Sequence, residues 1–223
     1  MTRLLKSIFQ HLYPYAIFRT GREPSANNQT GSLKDRTRTV FITFDDGPIP
    51  EVTPQVLAIL DRYGIKATFF MVGENIDKHP DVFAQVVAAG HSVGNHTYNH
   101  LKGWHIPFDE YMANVARCQK AIITHQTSFR IPTLFRPPYG KATLRQRFAL
   151  HQEGYRLIYW DVLTRDYDAS VTPEQIMTTV RRETRPGSII NFHDSLKSAD
   201  RTLVVLPRVI DYLLSQGYTF STL

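Results

Sequence analysis

Short apolar runs and longer amphipathic segments alternate along most of the chain, beginning near residue 38. Seven runs rich in β-branched and aromatic residues predict strands at 40–44, 67–72, 91–95, 133–135, 155–160, 188–192 and 218–220. Apolar residues at helical spacing between these runs predict helices at about 53–64, 82–90, 108–125, 144–151, 172–186 and 201–216. This regular alternation indicates a parallel sheet covered by helices.

The number of predicted strands distinguishes between two α/β architectures. Seven strands come close to the eight of a closed barrel, so we expect an α/β protein with a distorted (β/α)7 barrel. An open, doubly wound sheet is the second possibility, although no dinucleotide-binding glycine motif follows the first strand.

The beginning of the chain lacks the alternation. Residues 1–18 contain apolar residues interrupted by polar ones and by Pro14, without the unbroken apolar run and cleavage site of a secretory signal. We expect an extension that packs on the domain, while an interfacial anchor and an export signal remain open. Residues 19–37 are polar and predict a linker. The predicted division is therefore 1–37 for the extension and linker, and 38–223 for one domain.

Polar or charged side chains follow five of the predicted strands at the point where each strand ends. They are Asp45 and Asp46, His96 and His100, Arg136 and Tyr139, Asp161 and Asp166, and His193 and Asp194. Active sites of barrels and of open α/β sheets lie beyond the carboxyl ends of their strands. We therefore expect these side chains to converge on one functional site.

The residue types at these strand ends suggest a metal site. Cys118 is the only cysteine of the chain, so the ligands must be histidines and carboxylates. His96 and His100 are four residues apart and would share one face of a helical turn. An aspartate from another strand end would complete a two-histidine, one-carboxylate site, which suits Zn²⁺ or another divalent transition metal.

The formal net charge of +6 indicates a basic surface, which attracts an anionic partner such as nucleic acid, a membrane surface or a cell-envelope polymer. No block of arginine and lysine is long enough for a nucleic-acid-binding arm, so we expect no nucleic-acid partner. No apolar run reaches 18 residues, so we expect no transmembrane span. Cell-envelope and cytoplasmic locations both remain open, and a monomer is favoured.

Three segments at the strand ends are Thr-Phe-Asp-Asp-Gly-Pro at 43–48, His-Thr-Tyr-Asn-His at 96–100 and Arg-Pro-Pro-Tyr-Gly at 136–140. They resemble the first three motifs of the polysaccharide deacetylases with a NodB homology domain, which form carbohydrate esterase family 4. The resemblance implies a distorted seven-strand barrel. It also implies a metal-dependent hydrolase that removes N-acetyl groups from polysaccharides containing N-acetylglucosamine, such as peptidoglycan or chitin-like oligomers, and releases acetate.

The resemblance also assigns roles to the residues at the strand ends. It implies that Zn²⁺, or another divalent ion such as Co²⁺ or Ni²⁺, binds to Asp46, His96 and His100. The resemblance implies that Asp45 is the general base, oriented by Arg136. It implies that the backbone N–H of Tyr139 stabilises the oxyanion, and that His193 is the general acid, held by Asp166.

The sequence departs from the family pattern around the pocket for the acyl group. Leu163 and Tyr167 replace the first aspartate and the tryptophan of the fourth motif, and Asn191 replaces a leucine of the fifth. We expect Asn191 to be hydrogen-bonded and to alter acyl preference slightly. The alternatives left open are a deacylase of the same fold acting on O-acetyl esters of xylan-type glycans or on a small amide, and a catalytically silent carbohydrate-binding protein.

Overall fold

A computed structural model describes residues 13–20, 38–126 and 132–223. Nine strands lie in these ranges: β1 (Ala16–Ile17), β2 (Thr39–Asp45), β3 (Thr68–Met71), β4 (Ser92–Asn95), β5 (Leu134–Phe135), β6 (Arg156–Ile158), β7 (Val162–Leu163), β8 (Ile189–His193) and β9 (Thr219–Phe220). All seven predicted strands are present. The two additional strands, β1 and β7, are two residues long each.

The strands form a parallel sheet that curls into a barrel. Their order is β1-β6-β5-β4-β3-β2-β8-β7, every neighbouring pair is parallel, and β9 pairs with the start of β2. β6 and β7 lie near opposite ends of this order, yet only residues 159–161 separate them. A link of this length spans roughly 15 Å at most, so the two ends of the sheet must approach each other. The predicted distorted (β/α)7 barrel is confirmed.

Residues 13–20 cross the gap between the two ends of the sheet. Ala16 and Ile17 pair with β6, and the backbone N–H of Thr20 donates to the carbonyl of Gly187, just before β8, at 3.0 Å. This segment therefore packs on the barrel. The remainder of the predicted extension and linker, 1–12 and 21–37, lies outside the described residues, and the domain boundary at residue 38 stays a prediction.

In the part of the chain that the structure describes, seven α-helices cover the outside of the sheet: α1 (Thr53–Arg62), α2 (Gly73–Lys78), α3 (Pro80–Ala88), α4 (Phe108–His125), α5 (Leu144–Gln152), α6 (Pro173–Glu183) and α7 (Ala199–Ser215). Six of them were predicted, and α2 is additional. The main core lies between helices and sheet, where the ring of Phe44 stacks on those of Phe69 and Phe192. Within the described ranges, no helix has the length and apolarity needed to cross a membrane.

The register of the sheet brings the strand ends to one rim. Asp45, the last residue of β2, pairs with His193, the last residue of β8. On the other side of β2, the ends of β3, β4 and β5 follow in order, and residues 96 and 136 come directly after β4 and β5. Parallel strands thus deliver the predicted site residues to the same end of the barrel.

Candidate active site

A cavity of about 500 Å³ lies at this rim of the barrel. It is lined by Asp45, Asp46, His96, His100, Tyr139, Trp160, Leu163, Tyr167, Asn191, His193, Ser195 and Lys197. Arg136 and Asp166 are fully buried behind these residues and contact them through hydrogen bonds. The structure therefore brings all eight predicted site residues together, and we call this space the catalytic cavity.

Asp46, His96 and His100 form a cluster with the composition of a metal site. One ligand atom from each residue lies within 4.8 Å of the other two. Nε2 of His100 is 3.2 Å and Nε2 of His96 is 3.8 Å from Oδ1 of Asp46. This oxygen is buried and has no hydrogen-bond partner of acceptable geometry in the described part of the chain. A buried oxygen without a partner, facing two imidazoles, fits a divalent cation.

The two histidines lie on a loop after β4, so the expectation of a helical turn was wrong. Thr97 and His100 have φ values of 63° and 55°, which a right-handed helix does not contain. Side chains replace the helical hydrogen bonds: Oδ1 of Asn95 accepts from the N–H of Thr97 at 2.9 Å, and Oδ1 of Asn114 accepts from the N–H of Tyr98 at 2.7 Å. The four-residue spacing brings the histidines together through this loop.

The protonation of the cluster suits metal binding. Burial lowers the pKa of His96 to about 4, so its ring is neutral at neutral pH. Its Nδ1 lies 2.7 Å from the carbonyl oxygen of Arg136 and donates to it, which leaves the lone pair on Nε2. Burial would raise the pKa of Asp46, but the contact with His100 and the charges of the surrounding histidines lower it well below its usual range. The cluster thus offers an ionised carboxylate and a neutral imidazole, the forms that bind metals.

Asp45 is held by a buried polar network at the end of β2. Nη1 of Arg136 donates to Oδ1 of Asp45 at 2.7 Å, and Nδ2 of Asn191 donates to Oδ2 at 3.1 Å. Oδ1 of Asn191 in turn accepts from Arg136 at 2.5 Å and from Thr43 at 3.1 Å. The prediction that Asn191 is hydrogen-bonded is therefore confirmed, and the carboxylate of Asp45 has a fixed orientation.

The guanidinium of Arg136 is fully buried, and its remaining donors are satisfied by the barrel backbone. Nε and Nη2 donate to the carbonyls of Ile158 and Tyr159 at 3.2 and 3.0 Å. Its Cζ atom lies 4.1 Å from the ring centroid of Phe70. Burial lowers the pKa of Arg136, and the charge of Asp45 opposes this effect. The ion pair is thus an internal part of the barrel, and it anchors Asp45 to the ends of β5 and β6.

His193 and Asp166 form a second buried pair on the other side of the cavity. Nδ1 of His193 is 2.7 Å from Oδ1 of Asp166, and the other oxygen of Asp166 accepts from the N–H of His193 and from Oγ1 of Thr202. Burial opposes the protonation of His193, but the charge and hydrogen bond of Asp166, together with the charges of Asp46 and Asp45, outweigh burial and raise the pKa of His193 to about 9. His193 is therefore cationic at neutral pH. Asp166 contacts Nδ1 of His193 and not Nε2.

Unusual backbone conformations concentrate at the cavity. Six non-glycine residues of the described ranges have a positive φ, and five of them belong to the site or its flanks: Asp46, Thr97, His100, Tyr139 and Arg165. Each left-handed residue without glycine's freedom costs of the order of 1 kcal/mol or more. Such cost is typical of sites whose backbone is held for function.

Asp194 is a site-forming residue that the sequence analysis named without giving it a role. It is buried, and its carboxylate accepts from the N–H of Gly47 at 3.0 Å and from Oγ1 of Thr53 at 2.6 Å. Burial raises the pKa of Asp194 to about 7. A Cβ on Gly47 would collide with this carboxylate, so glycine is required there. Asp194 thereby fastens the loop that follows Asp46 to the end of β8; its position directly after His193 was the available signal.

Asp161, also named at a strand end, has a structural contact instead. Its two oxygens accept from Oγ of Ser188 and from the N–H of Ile189, both at 2.9 Å. The two residues that depart from the family's fourth motif, Leu163 and Tyr167, do line the catalytic cavity. The ring of Tyr167 meets that of His193 edge to face at 4.9 Å.

A parallel barrel with a two-histidine, one-carboxylate cluster beside two buried charge pairs has the features of a hydrolase. Comparison with known proteins agrees. The polysaccharide deacetylase family profile matches residues 32–158. A peptidoglycan-N-acetylglucosamine deacetylase of Bacillus cereus is 34% identical over 194 residues, covering 86% of this chain and 90% of the relative. A chitooligosaccharide deacetylase of Azorhizobium caulinodans is 30% identical over 210 residues, covering 89% and 99%.

Solved structures give the same result. A crystal structure of a peptidoglycan N-acetylglucosamine deacetylase superposes with a TM-score of 0.80 and 31% identity, covering 84% of this chain and 87% of the other. The carbohydrate esterase family 4 domain of a multidomain xylanase superposes with a TM-score of 0.76 and 30% identity, covering 84% and 88%. The chain belongs to the polysaccharide deacetylase family, carbohydrate esterase family 4, and is a hydrolase of that family.

Proposed function

We propose that the protein is a metal-dependent deacetylase that removes N-acetyl groups from polysaccharide containing N-acetylglucosamine and releases acetate. One observation carries the proposal: a single cavity is lined by the Asp46–His96–His100 cluster, by Asp45 and by His193. The relatives named for peptidoglycan and chitooligosaccharide deacetylation support the same substrate class.

The metal cluster would supply what an unactivated amide lacks. A Zn²⁺, Co²⁺ or Ni²⁺ ion held by Asp46, His96 and His100 would act as a Lewis acid and lower the pKa of a bound water to about 7. Two contacts behind the ligands support this set: the carbonyl of Arg136 fixes the ring of His96, and Nδ2 of Asn75 donates to the backbone carbonyl of Asp46.

Asp45 and His193 divide the proton transfers of amide hydrolysis between them. Asp45 accepts a proton from the attacking water, whose oxygen forms the new bond to the acetyl carbon. His193, cationic because of Asp166, donates a proton from Nε2 to the nitrogen of the breaking C–N bond, so that the amine leaves neutral. The backbone N–H of Tyr139 donates to the carbonyl oxygen as it gains charge, and such a donor is typically worth about 2.7–4 kcal/mol.

The test is acetate release from N-acetylglucosamine oligomers, peptidoglycan and acetylated xylan, each with and without a chelator. We expect release from the first two, loss with the chelator, recovery with added Zn²⁺, and no release by Asp45→Asn. Asp168→Asn is the control, since the partly exposed Asp168 contacts Arg165 and Ser170 and does not line the catalytic cavity. Release from xylan alone, or release that a chelator does not affect, would contradict the proposal.

A further inference from the structure

An exposed apolar surface lies on the side of the barrel, and none of its residues lines the catalytic cavity. Leu144 and Phe148 are four positions apart on α5, so they share one face of the helix, and they are 58% and 49% exposed. The ring of Tyr15 lies 6.1 Å from that of Phe148 and stacks on that of His151 at 4.6 Å. One open groove of about 500 Å³ is lined by Tyr15, Leu144, Arg145 and Phe148. We call these four residues the α5 patch.

The grouping of these side chains indicates a docking surface. Single exposed apolar residues are common on any protein, whereas a contiguous set bordered by polar residues marks a surface for a partner. The backbone of Tyr15 adds to this observation. With a φ of 70°, it is the one described non-glycine residue with a positive φ outside the catalytic site and its flanks. A bulky ring is thus held at the surface in a conformation that costs free energy, as is typical of functional positions.

Cations without an ion-pair partner flank the α5 patch. Arg145 is exposed and forms no ion pair with any described residue, and its Cζ lies 4.0 Å from the ring centroid of Phe108. Lys141, just before α5, places Nζ 3.9 Å from the ring centroid of Trp104, which is 49% exposed. α5 contains no acidic residue. The acidic residues nearest along the chain, on α4 and after α5, do not line the groove; they are Asp109, Glu110 and Glu153.

The sequence that leads to Tyr15 has the same composition. Residues 1–12 lie outside the described residues, and no aspartate or glutamate occurs before Glu23. Their basic and apolar residues are Arg3 and Lys6, and Leu4, Leu5, Ile8, Phe9 and Leu12. Basic residues combined with leucine and phenylalanine, without acidic residues, are typical of segments that bind the surface of an anionic membrane.

The charges favour a lipid surface over a second copy of the chain as the partner. In a two-fold symmetric dimer the patch would face its own copy, which would bring Arg145 and Lys141 close to the same cations of the other molecule. Like charges brought together across an interface oppose association. Anionic headgroups would instead attract these cations, and the boundary below the headgroups suits leucine and aromatic rings. Tyrosine and tryptophan suit this boundary because each combines an apolar ring with a polar group.

We propose that the α5 patch docks the protein on the surface of a membrane that contains anionic lipid. Leu144, Phe148 and Tyr15 enter the boundary between headgroups and acyl chains, while Arg145 and Lys141 bind lipid phosphates. This inference concerns the surface on which the protein binds, and it does not depend on the proposed function.

Flotation of the full chain with lipid vesicles tests the docking. The vesicles consist of phosphatidylcholine alone or of equal parts of phosphatidylcholine and phosphatidylglycerol. We expect binding to the mixed vesicles, and about tenfold weaker binding to phosphatidylcholine alone, because the latter lacks the attraction for the cations. High salt should weaken binding to the mixed vesicles, since it screens that attraction.

Three substitutions locate the docking surface. Leu144→Gln and Phe148→Gln each remove apolar area and should weaken binding to the mixed vesicles about tenfold. Arg145→Gln should weaken it about fivefold on the mixed vesicles and little on phosphatidylcholine, as for loss of one cation. The matched controls are Leu214→Gln and Arg208→Gln, which replace exposed residues of α7 and should bind like the unsubstituted protein. Thermal unfolding of all five variants establishes that they fold.

The outcomes separate this inference from its alternatives. Absence of vesicle binding, or equal binding by the patch variants and the controls, overturns it, and equal binding to both kinds of vesicle overturns the assignment to anionic lipid. Light scattering without lipid tests the other partner: a dimer that Phe148→Gln dissociates, with no vesicle binding, would assign the patch to a second copy. Absence of acetate release from every substrate would refute the proposed function, while lipid-dependent flotation that the patch variants lose would still support the docking.

Discussion

Replacing Asp166 with asparagine should convert His193 from a cation into a neutral ring at neutral pH. Burial lowers the pKa of His193, but the charge and hydrogen bond of Asp166, with smaller effects from the charges of Asp46 and Asp45, raise it to about 9. Asparagine keeps the shape and removes the charge, so burial then dominates and we expect a pKa below the ordinary 6.5. At pH 8 the protonated fraction of His193 would fall from about 90% to about 3% or less. If His193 is the general acid, the rate at pH 8 falls roughly 30-fold from protonation alone.

Histidine resonances in the NMR spectrum of chelator-treated protein measure this pKa directly, without the charge of a bound metal. We expect a titration near pH 9 in the unsubstituted protein, below 6.5 in Asp166→Asn, and near 9 in the control Asp168→Asn. The pH–rate profile of the loaded enzyme should be bell-shaped, with a basic limb that moves to lower pH in Asp166→Asn. A variant in which His193 still titrates above pH 8 would refute the reasoning.

The raised pKa of His193 also predicts how the free energy of unfolding depends on pH. The pKa of His193 is higher in the folded chain than in the unfolded chain, so the folded state binds the proton more tightly. The resulting stabilisation is fully present below about pH 6.5, is lost as the pH rises through about 9, and amounts to about 3 kcal/mol. Denaturant unfolding of chelator-treated protein at pH 6 and pH 10 measures it, and the loss should be smaller in Asp166→Asn.

Three further outcomes are expected. Asn191→Leu removes the donor to Asp45 and should change the ratio of kcat/KM values among acetyl, formyl and glycolyl substrates about threefold to tenfold, the worth of one hydrogen bond; identical ratios would exclude a role in acyl preference. Asp194→Ala removes the hydrogen bond to the loop at Gly47 and should weaken Zn²⁺ binding about 10- to 100-fold in calorimetry, as is typical when a group that orients a metal ligand is lost, whereas Asp200→Ala on the exposed start of α7 should not. Gly47→Ala should destabilise the fold in urea unfolding by more than about 2 kcal/mol, because its Cβ meets the carboxylate of Asp194, and an unchanged midpoint would contradict that contact.

The parts of the fold that were predictable are those whose burial leaves a long apolar pattern. β2 and β8 are buried over most of their length and read as continuous apolar runs, as central parallel strands do. β1 and β7 are two residues long, too short for a periodic pattern, and they exist because the curled sheet brings partners to them. α2 was not predicted because it begins at Gly73 and has Ile76 as its single large buried apolar residue.

The candidate site was predictable to the extent that topology alone determines it. Parallel strands end at one rim, so the strand-end residues met there without any knowledge of their contacts. The contacts themselves depend on loop conformation and on long-range packing. Thr97 and His100 adopt left-handed conformations, which the spacing of residues in a sequence does not predict. The hydrogen bond from Gly47 to Asp194 joins residues 147 positions apart, and the contact of the Tyr13 ring with that of Tyr159 depends on how the barrel closes.

The pairing of β1 with β6 also bears on how the protein avoids self-association. A strand at the edge of a sheet presents unpaired N–H and C=O groups, which are a template for strands of other molecules. Ala16 and Ile17 occupy those groups on β6, and Leu157 and Ile158 there are fully buried. Two residues near the start of the chain thus keep an apolar edge from becoming a site of aggregation. We expect a deletion that removes Ala16 and Ile17 to reduce solubility at high protein concentration before it disturbs the catalytic cavity.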